Sequence, residues 1–395
     1  MPWIVAIAAA VVILVGGELA ARLWIRLRGR YYVGLPGLRL HLRLDRTVLP
    51  EYEPVIRIEM NSDGERGSEV GRGDHGLYRV LATGGSPVEG YSLDQASNWP
   101  AVLERMLGTP ENLRLLGATG VHVGTVARSG IASRDLDLIL QRVLPHYRRL
   151  HAVVVMIGGN DVANWLACGA PVAAPAPPVP AAEMFACHPE GPFGWHPSRS
   201  AAVELLKRAR RLWLRPIKDR RDAGRWIVKA RAMRAEAAEV RTSVSDPTVM
   251  LDHFEECLRR LLQRAKAVAP RVLVLRQPWF EKDYTPQELG RIWHGAAGFP
   301  WKKQEVSAYY ALDVVNRLMA LMDARAAKVA EELGLEQLDL GSVLEPGIDT
   351  YYDYVHYTPA GARTVAEAVA GALLRQPALD TGPVYPAVVG AAPRR

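Results

Sequence analysis

Asp353 and His356 stand three residues apart in Tyr-Tyr-Asp-Tyr-Val-His-Tyr-Thr-Pro-Ala-Gly, near the end of the chain. An aspartate at that spacing, at the mouth of a predicted helix, can orient an imidazole and stabilise its charged form. The pair has a use only if a nucleophile waits elsewhere. Ser86 offers one, in Gly84-Gly85-Ser86 directly after a predicted strand at 78–83. A free hydroxyl is a weak nucleophile, so a base must take its proton as it attacks. His356 can do this and can later protonate the leaving group. The oxyanion formed on attack needs fixed donors. The sequence supplies the N–H of Ser86, the N–H of Gly130 and the side-chain amide of Asn160, the last in Gly158-Gly159-Asn160-Asp161. Each motif alone has a bland equivalent: a tight turn, a surface helix start, an αβ turn. In this order, each at the end of an element, they point together to acyl hydrolysis by a serine. Asp161 is read as a buttress of the Asn160 turn. The other histidines (His122, His146, His151, His188, His196, His253 and His294) are read as structural or surface residues.

The elements that must position these groups alternate along the chain. Apolar runs predict strands at 78–83, 121–127, 152–157, 272–276 and 335–340. Residues at helical spacing predict helices at 99–107, 134–144, 250–268, 307–333 and 359–374. Thr358 before Pro359 is an N-cap followed by proline at the first helical position. Strand–helix alternation with apolar strands implies an α/β chain with a parallel sheet covered on both faces, a three-layer α/β/α sandwich. Ligands in such folds bind beyond the carboxyl ends of the strands, where Ser86, Gly130 and Asn160 all fall.

Four regions are expected: an N-terminal helix and basic flank (1–30), a linker with one or two short strands (31–60), the catalytic domain (61–375) and a Pro/Ala-rich tail (376–395). A long insertion, 164–246, interrupts the domain. Its first part is Pro/Ala-rich and its second is basic and helical, with breaks expected at Pro216 and Gly224. The insertion reads as a lid, as a surface for anionic lipid, or as a helical arm packed on the domain. Residues 199–241 hold fourteen Lys/Arg against five acids, so they account for the whole net charge of +7. The basicity is local and gives no reason to expect a nucleic-acid partner. Cys168 and Cys187 bracket the Pro/Ala-rich loop and are either a disulfide or free thiols. Neither CxxC nor HExxH occurs, so no metal is expected.

Residues 3–17 form an unbroken apolar run. Pairing Glu18 with Arg22 at i,i+4 extends it toward the roughly 20 residues a membrane span needs. No small-residue cleavage site follows, so an uncleaved anchor is expected. Arg22, Arg26, Arg28 and Arg30 follow the span, and the positive-inside count would place the domain in the cytoplasm. Single N-terminal anchors on secreted-type hydrolases export the domain, and an extracytoplasmic domain is the expectation here.

The blocks around Ser86, Gly130, Asn160 and Asp353/His356 resemble those of the SGNH/GDSL hydrolase superfamily. The chain is similar to its membrane-anchored bacterial members, which share an Asn-x-x-Gly-x-Arg-like lead-in (residues 61–66) and a Trp-Pro after the serine block (Trp99-Pro100). The resemblance implies a flavodoxin-like fold, hydrolysis of ester or O-acyl bonds through an acyl-enzyme, and no cofactor. It implies an ester-bearing small molecule, a lipid or an acylated glycan as substrate. Gly85 stands where the family has Asp, Thr125 where Asn is frequent and Ala127 where Gly is frequent. Two other readings are an O-acyltransferase, in which a glycan hydroxyl replaces water, and a non-catalytic binding module of an envelope assembly. The second has no need of Ser86, Asn160, Asp353 and His356 together.

Overall fold

The computed structural model describes residues 2–70, 76–173, 176–189 and 199–375. The Pro/Ala-rich tail and His196 lie outside the described residues. Among the described residues there are ten strands: β1 (Arg39–Leu44), β2 (Val55–Glu59), β3 (Leu77–Gly84), β4 (Gly120–Ala127), β5 (Ala152–Met156), β6 (Ile217–Ala223), β7 (Glu239–Arg241), β8 (Arg271–Arg276), β9 (Ala308–Tyr310) and β10 (Glu336–Asp339). The central sheet has the order β10-β8-β5-β3-β4, and every pairing in it is parallel.

Its strands are apolar on both faces because both are covered. Leu81, Val153, Val155, Val272 and Val274 point into one core with the helices Ser133–Val143, Thr248–Val268 and Leu312–Glu332. Val80, Ala82, Val154, Met156, Leu273 and Leu275 point into the other, against Trp99–Leu107 and Pro359–Leu374. This is the three-layer α/β/α sandwich expected from the alternation.

The remaining segments extend that second core. Residues 31–60 carry β1 and β2, which pair antiparallel and bury Leu40, Leu42, Ile56 and Ile58 there. β6, from the insertion, adds to β1 in parallel. The basic part of the insertion is therefore not helical throughout: the helices Ala201–Leu214 and Arg225–Ala235 flank a strand. Arg215 ends the first helix in the left-handed region (φ 44°), and Pro216 cannot continue it. The insertion also begins later than Asn164, because the helix Gly159–Ala167 runs through that residue. The long helix expected from 307 starts at Leu312. The aromatic residues before it form β9, which pairs with β7 of the insertion. Cys168 and Cys187 are both free thiols, so the disulfide is not made.

Arg66 links the lead-in to the serine block. Its backbone bridges Thr125 on β4, and its buried guanidinium donates to the carbonyls of Glu89 (2.7 Å), Gly90 (2.8 Å) and Leu93 (2.6 Å). It also reaches Gln95 Oε1 at 3.1 Å. The Glu89 and Gly90 carbonyls lie at the end of the short helix Ser86–Glu89, and that of Gly90 also accepts from Leu93 N at 2.8 Å. Trp99 donates from Nε1 to Pro87 O at 3.1 Å and holds the same turn from the other side. Arg66→Ala is expected to cost about 3 kcal/mol in urea denaturation. Arg66→Lys should recover little of it, since an ammonium cannot reproduce the planar fork. A midpoint shift equivalent to less than about 1 kcal/mol for Arg66→Ala would contradict this role.

Candidate active site

β3 ends in Gly84, and Ser86 is the first residue of the short helix that follows. The last helix is capped by Thr358, whose hydroxyl accepts from Gly361 N at 3.1 Å. The turn before it carries Asp353 and His356. The two ends meet: His356 Nε2 lies 2.7 Å from Ser86 Oγ, and His356 Nδ1 lies 2.8 Å from Asp353 Oδ2.

Asp353 is almost wholly buried, yet four donors reach it. The N–H groups of Val355 and His356 are each 3.0 Å from Oδ1, and Trp293 Nε1 is 3.0 Å from Oδ2. His356 Nδ1 is the fourth. Burial alone would raise its pKa, but the His356 ring and these hydrogen bonds outweigh that and hold it well below the usual carboxylate range. An ionised Asp353 makes Nδ1 the donor and leaves Nε2 free to accept the serine proton. Tyr352 stacks on the His356 ring, with centroids 5.4 Å apart and planes at 16°.

Asn160 and Gly130 reach the same place from β5 and β4. The side-chain amide of Asn160 lies against Gly85: a Cβ there would meet Nδ2 at 3.2 Å. Gly158 adopts φ 139° and packs so closely that a Cβ would come within 2.5 Å of Met322 Sδ, so only glycine fits. Gly159 donates its N–H to Gln277 at 3.1 Å. Gly130 has φ 80°, again a glycine conformation, and its carbonyl accepts from Asn164 at 3.2 Å. Two carboxylates tie these turns together. Glu89, at the end of the Ser86 helix, accepts from Ser129 N at 2.6 Å. Asp161 accepts from Ser133 N at 2.9 Å and Ser133 Oγ at 2.6 Å. Burial pushes Asp161 up to about 7 against those two donors. Asp161 thus ties the start of the helix Ser133–Val143, just past Gly130, to the turn that carries Asn160.

Ser86, Gly130, Asn160 and His356 line one cavity of about 220 Å³. Much of the rest of its lining is apolar: Leu42 and Leu44 of β1, Leu166 of the helix Gly159–Ala167, Trp226 and Ile227 of the insertion, Trp293, Trp301 and Met319, with Ser92, Ser129, Gln277 and His294 among the polar residues. The insertion also braces the site from behind. Arg231 donates to the carbonyls of Tyr352 (3.0 Å), Arg291 (3.0 Å) and Val48 (3.1 Å), and Arg234 donates to that of His294.

Trp293 and His294 are site residues that the reading of the sequence did not single out. His294 is buried beside the relay, with ring centroids 6.1 Å from those of His356, and its Nδ1 has no partner among the described residues. The available signal was a Trp-His pair in an aromatic, glycine-rich loop past the end of β8, where ligand sites of parallel sheets gather. Ligand atoms of His294, Asp353 and His356 lie within 4.8 Å of one another. His356 has both ring nitrogens within hydrogen-bond distance of other groups, Nε2 of Ser86 Oγ and Nδ1 of Asp353.

The sequence matches the family model for GDSL-like lipases/acylhydrolases over residues 82–364. Among solved structures, a member of the lipolytic G-D-S-L family from Veillonella parvula is similar at 9% identity and a TM-score of 0.40, covering 76% of this chain and 100% of that one. An acetylxylan esterase from Geobacillus stearothermophilus is similar at 15% identity and a TM-score of 0.39, covering 76% and 94%. No curated protein matches the sequence.

Burial pushes the His294 pKa down from 6.5 to about 3. Between those values the unfolded chain binds a proton that the folded site refuses, so this group's contribution to stability is lost as pH falls from about 6.5 toward 3. His294→Gln removes that contribution. Its stability should drop less than the wild type's between about pH 7 and about pH 5, measured by urea denaturation at each. Equal losses in the two proteins would show that His294 is not held neutral.

Proposed function

This chain belongs to the GDSL-like lipase/acylhydrolase family and is an ester-hydrolysing enzyme; from that premise we propose that Ser86 is its nucleophile, His356 its general base and acid, and Asp353 the group that orients His356. The observation that carries the proposal is the continuous contact from Ser86 Oγ through His356 to Asp353. In the first half-reaction His356 Nε2 takes the Ser86 proton as Oγ attacks the acyl carbon. Negative charge gathers on the former carbonyl oxygen, facing the N–H of Ser86, the N–H of Gly130 and the Asn160 amide. His356 then protonates the departing alkoxide, leaving the acyl group on Ser86. In the second half water is the nucleophile, and the same imidazole takes its proton and returns one to Ser86.

The apolar walls favour an acyl chain longer than acetyl, drawn from a lipid or another acylated substrate. The helix Pro2–Arg28 is the one helix among the described residues long and apolar enough to cross a membrane, and it serves in this reading as the anchor.

Ser86→Ala should fold normally and lose ester turnover to background. Asn160→Ala should lose on the order of a hundredfold or more in kcat. Unchanged p-nitrophenyl ester cleavage by Ser86→Ala would end the proposal. Each methylene buried in the cavity is worth about 0.8 kcal/mol, so p-nitrophenyl butyrate should exceed the acetate by on the order of tenfold in kcat/KM. Preference for acetate would mean that the acyl group does not occupy these walls.

A further inference from the structure

The helix Pro2–Arg28 does not stand apart from the domain. Its Glu18 accepts from Ser200 Oγ (2.7 Å), Ala201 N (2.9 Å) and Ala202 N (3.1 Å), capping the insertion helix Ala201–Leu214. Arg22 binds Glu18 at 2.7 Å and the carbonyl of Arg199 at 2.9 Å. Ala21 and Ile25 bury against Ala201 and Tyr32, with Leu205 packed alongside. The N-terminus of the insertion helix is therefore fixed at the height of Glu18, where the unbroken apolar run of residues 3–17 ends.

The outward stripe of that insertion helix is unlike a solvated face. Leu206 is 70% exposed, Trp213 89% and Leu214 70%, with Val203 and Ile217 also in the open. Between them stand Arg210 and Lys207, the latter paired with Glu204 at 3.0 Å, both exposed, and β6 adds Lys218, Arg220 and Arg221 against Asp219 and Asp222. Exposed apolar residues interleaved with Lys and Arg, next to a membrane-length helix, match the chemistry of the headgroup–acyl boundary: apolar side chains enter and basic side chains meet phosphates. The exposed side of Pro2–Arg28 continues the apolar surface through Leu23, Trp24 and Leu27.

We propose that the insertion helix Ala201–Leu214 is a second membrane contact, lying in the interface of an anionic bilayer beside the spanning helix Pro2–Arg28. The consequence is positional. The helix leads through β6 to Gly224, Trp226 and Ile227, which line the cavity at Ser86. A helix seated on the bilayer thus holds that cavity at a fixed orientation to the lipid surface, which a single flexible tether would not do.

The test uses the full chain in nanodiscs containing chain-brominated lipids, with phosphatidylglycerol or with phosphatidylcholine alone. The wild-type minus Trp213→Phe difference in fluorescence isolates Trp213 from the other tryptophans. In anionic discs this difference should be strongly quenched. It should lose about half or more of that quenching in Lys207→Glu/Arg210→Glu, while the protein stays embedded through Pro2–Arg28. An unquenched Trp213 in anionic discs overturns the proposal and makes the stripe a site for a protein or for water. Equal quenching in neutral discs and in the double variant overturns its anionic component. Neither readout involves Ser86, so failure here and failure of the esterase reading are separable.

Discussion

Asp353 carries its charge at a position sealed from water, and an unpaired charge there would cost several kcal/mol. The surroundings of the site follow from meeting that cost. Two backbone N–H groups from its own turn, the Trp293 indole and the His356 imidazole all reach one carboxylate. Each of those donors must itself be held. Thr358 caps the helix that fixes the turn. Arg231 ties the carbonyl of Tyr352, next to Asp353, to the carbonyl of Arg291 near Trp293. The same contacts hold the His356 ring with its Nε2 2.7 Å from Ser86 Oγ.

The segments outside the central sandwich have a direct part in this. The sandwich positions Ser86, Gly130 and Asn160 at strand ends, as any parallel sheet can. It does not by itself close a pocket over them. β1 and the helix Arg225–Ala235 supply Leu42, Leu44, Trp226 and Ile227 to the wall, and that helix supplies Arg231 and Arg234 to the support. Part of the cavity's apolar lining thus comes from segments outside the central sandwich.

The five central strands and the helices over them were legible because their signals are local: apolar runs, helical spacing, Thr358 before Pro359, glycines at sharp turns. The residues gathered at the candidate site were legible because a serine, an asparagine and an Asp-x-x-His each sat at the end of such an element. What was not legible depends on contacts between distant residues. β6 is a basic, unpatterned stretch that becomes a strand only because β1 offers an edge. Residues 308–310 read as the start of a helix until β7 pairs with them. Trp293 and His294 sit in an irregular loop, and only the folded chain brings them against Asp353, sixty positions away in the case of Trp293. Glu18 reads as a partner for Arg22 alone, and its role as a cap for Ala201–Leu214 needs the three-dimensional contact.

The claim on which the rest depends is that Ser86 is activated by its neighbours, and the most direct measurement is site-mapping of a fluorophosphonate label by peptide mass spectrometry on the active full chain. The probe reacts only with a serine whose proton is being withdrawn. The structure predicts a single adduct, on Ser86, appearing in step with the loss of ester turnover. Turnover lost through an adduct on another residue, or a catalytically active protein whose Ser86 stays unlabelled, would contradict the account.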